Sequence, residues 1–187
     1  MSLQLTTPPA VEPVTLDDAK AHLRVDTTDD DALITSLISA ARARAEWHTG
    51  RAFVTQSWTL WLDAWPCGGV VEIPLPPLQS VASVTAYALD DSATVLDAAT
   101  YQVDTASSPA RLTLKPNAAP PAALRRINAI AVAFTAGYGD AGSDVPAPVR
   151  EAILKIVANF YVNRGDAAAV TPAEALALLA PYRIVSV

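Results

Sequence analysis

The hydrophobic period of this chain changes twice, and that change limits the folds open to it. Leu33, Ile34, Leu37, Ile38, Ala41 and Ala45 recur at helical spacing, which makes one apolar stripe on a helix. Residues 55–65, TQSWTLWLDAW, then alternate polar with bulky apolar side chains, the period-two signature of a half-buried strand. Helical spacing returns with Val149, Ile153, Ile156, Val157 and Phe160. A chain that reads helix, strands, helix calls for an α+β fold. The expectation is a helical body, built from an N-terminal helix pair plus C-terminal helices, with an inserted small, mostly antiparallel β region.

Local signals set the boundaries. Pro8, Pro9 and Pro13 fall within residues 1–14 and lack the donor that a helix or central strand needs, so this stretch reads as an extended N-terminal arm. Thr15 and Asp18 have the spacing of a capping box, which opens a helix over 15–24. A second helix is expected over 28–49, with Asp29, Asp30 and Asp31 at its positive dipole end and Gly50 as a left-handed cap. The β insertion spans about 52–138. Its strand candidates are TQSWTLWLDAW, VVEIPLPP, SVASVTAYAL, TYQVDT, RLTLKP and INAIAVAFTAGYG, separated by turns such as Pro66–Gly69 and Asp90–Ser92. Pro146 and Pro148 suit the first turn of a helix over 146–163, and Gly165 can stop it. Thr171 and Glu174, with Pro172 between them, resemble a second capping box. Together 15–166 reads as one domain, and 167–187 as a short helix and tail.

Several chemistries lack their residues. With 13 basic against 19 acidic side chains, the formal charge is −6, whereas gripping nucleic acid by its phosphates needs a basic surface. His22, His48 and Cys67 are the only His and Cys residues, and their spacing fits no zinc pattern. The aspartates at 26 and 29–31 lack the glycine and distal glutamate of a calcium loop. No G-x-S-x-G elbow occurs, and Cys67 has no evident base nearby. No catalytic residue, cofactor or metal is therefore expected. Gly137-Tyr-Gly139-Asp-Ala-Gly142 matches the G-x-G-x-x-G spelling, and a nucleotide-binding enzyme using this turn is the alternative function. Asp140 and Asp144 would repel a phosphate there, and no second strand with a terminal acid follows. Trp47, Trp58, Trp61 and Trp65 could stack on bases, but the acidic balance and strand alternation favour core packing. The N-terminus has no basic start followed by an apolar stretch, and no apolar run is long enough to cross a bilayer. A soluble protein made in a reducing cytoplasm is expected.

The ordered stretches LTTPPAVEPVTLDDAKAHLRVD at 5–26, DDALITSLISAARARAEWHTGR at 30–51, SWTLWLDAWP at 57–66, IPLPPLQSVASVTAY at 73–87, LDAATYQVD at 96–104, FTAGYGD at 134–140 and VPAPVREAILKIVANFYVNRGD at 145–166 resemble the head–tail connector (adaptor) family of tailed phages, prophages and gene transfer agents. The resemblance implies a non-enzymatic subunit of a ring, a dodecamer, below the portal. It also implies a partner portal protein, a stopper or tail-completion protein, and DNA passing through the lumen without specific binding. The subunit would reside in the neck of a virion or phage-like particle, and in the host cytoplasm before assembly. By similarity the C-terminal segment reaches the portal, making Leu178, Leu179, Pro181, Tyr182, Arg183, Ile184 and Val185 candidate contacts. One departure is the turn at Asp90–Thr94, where glycine is expected and Ser92 and Ala93 stand. A non-viral protein-interaction module is the remaining alternative.

Overall fold

The computed structural model describes residues 1–163 and 170–184. The chain divides into two compact units: residues 1–9 with 55–137, and residues 10–54 with 138–187. Among the described residues there are four α-helices, all in the second unit, and eight strands, all in the first. The α+β mixture expected from the changing period is present. The strands, however, form two antiparallel sheets.

The helical unit begins with α1 (Leu16–Leu23). Its N-cap is Thr15, whose hydroxyl accepts the Asp18 amide while the Asp18 carboxylate accepts the Thr15 amide, the reciprocal capping box its spacing predicts. Helix α2 (Asp31–Thr49) ends at Gly50, which takes φ 70° as a left-handed cap. Its start departs from expectation: residues 28–30 precede the helix, and Asp30 makes no side-chain cap. The Asp30 carboxylate instead accepts the Tyr161 hydroxyl from α3 (Ala147–Val162). Helix α4 (Ala173–Leu179) also lacks the expected box, because the Thr171 hydroxyl accepts Arg44 Nε at 3.0 Å. In both cases a tertiary partner outcompetes the local cap. Gly165 lies outside the described residues.

Ile34, Ile38, Val149, Ile153, Ile156 and Leu179 anchor one buried cluster. Full burial of an aliphatic side chain of this size contributes about 1.5–3 kcal/mol. The segment before α1 is tied down by charge: Arg42 on α2 donates to Glu12 at 2.8 Å and to Glu46 at 2.7 Å. Glu46 in turn accepts the Phe53 amide at 2.9 Å. Burial alone would lower the Arg42 pKa, but the two carboxylates more than offset it and hold the guanidinium above its usual value.

In the sheet unit, the strands are β1 (Ser2–Thr7), β2 (Gln56–Leu62), β3 (Val70–Ile73), β4 (Leu78–Tyr87), β5 (Ala93–Val95), β6 (Tyr101–Asp104), β7 (Ala110–Leu114) and β8 (Ile130–Ala136). The larger sheet runs β1-β2-β8-β4-β5 and the smaller β3-β7-β6. Within residues 1–14, expected to be an extended arm, the structure describes one strand. Ser2–Thr7 is extended but forms a ladder with β2, pairing Leu3 with Leu60 and Leu5 with Trp58. Register carries an apolar row across four strands, from Leu3 through Leu60 and Val132 to Val84, with the last three fully buried. The glycine-free turn between β4 and β5 closes by other means. Asp91 adopts φ 64°, and the Asp90 carboxylate accepts both the amide and the hydroxyl of Ser92.

Candidate functional site

The C-terminal candidates lie on and after α4. Leu179 is fully buried and Leu178 and Tyr182 pack against the same cluster. The chain then turns through Ala180–Tyr182 and runs beside the end of α2. There the Ile184 amide donates to Thr49 O at 2.8 Å, and Arg51 Nε donates to the Tyr182 carbonyl. Gly50 is placed so that a Cβ would lie 3.6 Å from the Ile184 Cβ. Pro181 and Arg183 are exposed, Ile184 is half-buried, and Val185 lies outside the described residues. The arrangement gives the segment a fixed inner side and a free outer one, with Pro181 and Arg183 on the outer.

The glycine turn that spells G-x-G-x-x-G is occupied by its own carboxylate. Asp144 Oδ2 accepts the Ala141 amide at 2.9 Å and would lie 2.2 Å from a Cβ at position 139. A Cβ at Gly142 would meet the Glu12 carbonyl oxygen at 2.7 Å and that of Pro13 at 2.9 Å. These glycines are required by close approach of the chain to itself, and the amide that would meet a phosphate already has an anion. Among the described residues no group of His, Cys, Asp and Glu is placed to hold a metal ion. Cys67 is free and exposed.

The tryptophans do not share one role. Trp58 and Trp65 bury their indole N–H groups without a partner among the described residues. Trp61 donates to Gln4 Oε1 at 3.2 Å, and its ring centroid is 5.9 Å from that of Tyr87. Trp47 overturns the expectation of core packing: on the outer side of α2 it is 76% exposed, with the Arg44 guanidinium 5.3 Å from its ring centroid.

Reasoning from sequence missed the two outer edges of the five-stranded sheet, β1 and β5. All their residues are exposed, and among the described residues β1 pairs with β2 alone and β5 with β4 alone. Alternation of Leu3 and Leu5 was the one available signal for β1. Three residues gave none for β5.

Comparison with known proteins turns these surfaces into a context. A chain from the neck of an empty gene transfer agent particle, computed with C6 symmetry, superposes with a TM-score of 0.86 at 26% identity, covering 100% of this chain and 97% of that one. A chain from the virion of a native gene transfer agent particle gives 0.83 at 25% identity with the same coverage. One from the neck of a native particle, computed with C12 symmetry, gives 0.79 at 26%, again with 100% and 97% covered. No curated protein matches by sequence. Residues 13–108 match the model of the phage gp6-like head-tail connector proteins, a stretch that covers just over half of the chain. The chain therefore belongs to the phage gp6-like head-tail connector family and is a structural component of the particle, not an enzyme.

Proposed function

We propose that this chain is a subunit of a closed homo-oligomeric ring, a dodecamer, in the neck of a phage or gene transfer agent particle. The ring lies below the portal, extends the DNA channel and recruits stopper or tail components. The observation that carries this reading is likeness over the whole chain to subunits of gene transfer agent necks treated with sixfold and twelvefold symmetry. Copies related by rotation alone meet through two different surfaces, and such contacts close into a ring. The formal charge of −6 also suits a conduit, because an acidic wall does not hold a polyanion.

The portal contact is assigned to residues 174–187, through the outer side of the segment that follows α4. Pro181 and Arg183 supply its described free surface, while Leu178, Leu179, Tyr182 and Ile184 hold it to the helical unit. Pull-down with the cognate portal tests this. The full chain should be retained on the portal, and a chain lacking 174–187 should be lost from it. Equal retention of both would remove the segment from the contact. Particles that assemble and deliver DNA normally without this chain would end the connector reading itself.

A further inference from the structure

We infer that the ring is closed by its β-sheets: the outer edge of β5 in one copy pairs with the outer edge of β1 in the next. This rests on the ring reading above and adds the contact through which subunits join. Both strands offer unused backbone donors and acceptors, since β1 and β5 are the two ends of the five-stranded sheet and are exposed throughout.

Chains that must stay apart protect such edges with charge, proline or a covering element. Here the contrast lies within one unit. The smaller sheet ends in β3 and β6, which carry Glu72 and Asp104. The larger sheet ends in SLQLTT and ATV, with no charged residue in either, in a chain that is 17% charged. Apolar side chains lie at both ends. Leu3 and Leu5 extend the buried face outward at 37% and 42% exposure, and Val95 is 63% exposed.

Strand direction identifies the occupant as a second copy related by rotation. Every neighbouring pair in the sheet is antiparallel, so four reversals leave β1 and β5 pointing the same way. Rotation about a ring axis preserves that direction. A β5-to-β1 junction is therefore parallel and can repeat indefinitely. Pairing β1 with β1 would require a twofold axis and would stop at a dimer. With strands about 4.8 Å apart, five strands advance about 24 Å per copy, so twelve copies run about 290 Å around, about 45 Å from the axis.

The register also chooses the test positions. Gln4 pairs with Thr59, and Ala93 and Val95 pair with Tyr87 and Thr85, which puts Gln4, Ala93 and Val95 on the face opposite the buried row. In a Cys67→Ser background, Gln4→Cys combined with Ala93→Cys, or with Val95→Cys, is oxidised in purified particles and run on denaturing gels. At least one pair should give a ladder of multimers beyond the dimer, and Gln4→Cys alone should give no cross-link. Dimers from Gln4→Cys alone, or no cross-link in either pair although the protein is present in particles, would overturn the edge junction and leave the connector reading standing. Absence of the wild-type protein from particles would overturn both. Thr94→Lys, at an exposed position, should fold with unchanged circular dichroism yet be lost from particles. Its normal incorporation would also refute the junction.

Discussion

The two units differ in how far they satisfy their own polar groups. In the helical unit most polar groups are tied: the exposed Thr15 and Asp18 cap each other, Arg42 holds two carboxylates, and the Thr49 hydroxyl donates to the Ala45 carbonyl, while Arg150 Nε on α3 is buried without a partner among the described residues. In the sheet unit polar groups remain open, at two sheet edges and at the indoles of Trp58 and Trp65. A buried donor without a partner costs about 1–3 kcal/mol, and an open edge invites another chain. The helical unit leaves one such side-chain atom, whereas the sheet unit adds whole strand edges that a neighbour can complete.

Four measurements would break or sharpen that contrast. Phe134→Ala removes a fully buried ring from the centre of the sheet unit, and urea titration should show a loss of about 3–5 kcal/mol. A loss below about 1 kcal/mol would mean that this ring does not hold the larger sheet. Arg42→Ala strands two carboxylates in the helical unit and should cost about 3 kcal/mol. A neutral result would show that the ion cluster is dispensable and that the two units are less different than drawn. Thr15→Ala should cost about 1 kcal/mol by the same titration, from loss of the α1 cap.

The smallest effect concerns acid. The Asp104 carboxylate is held well below its usual pKa, first by the Ser107 hydroxyl and then by Arg111. A group depressed in the folded state stabilises above its unfolded pKa of about 3.9 and loses that contribution as pH falls toward the folded value. Exchange of the Ala106 and Ser107 amides, both bonded to Asp104, should therefore quicken relative to the global rate as pH falls below about 4. In Asp104→Asn that relative change should vanish. Matching profiles would show that this turn is held by something else.

Legibility followed the range of the interactions. Local features came through: the Thr15 box, the Gly50 cap, the stripe on α2 and the alternation in β2. Where a distant side chain competes with a local partner, sequence reasoning erred, as with Asp30 taken by Tyr161 and Thr171 taken by Arg44. Strand candidates could be named, but their division into two sheets depends on pairings such as Leu60 with Val132, which leave no local trace. At the C-terminus the apolar run was visible. Which of its side chains face inward was not, because that depends on Gly50 and Thr49 far upstream.

The position of β8 has a consequence for synthesis. It lies between β2 and β4 in the larger sheet yet is the last strand of that sheet to leave the ribosome. Until residues 130–136 emerge, β2 and β4 lack their shared neighbour, and each presents a raw apolar ladder to whatever is nearby. Pairings of such long sequence separation form slowly. A nascent chain halted before residue 130 would be a sticky intermediate that only the arrival of its central strand resolves.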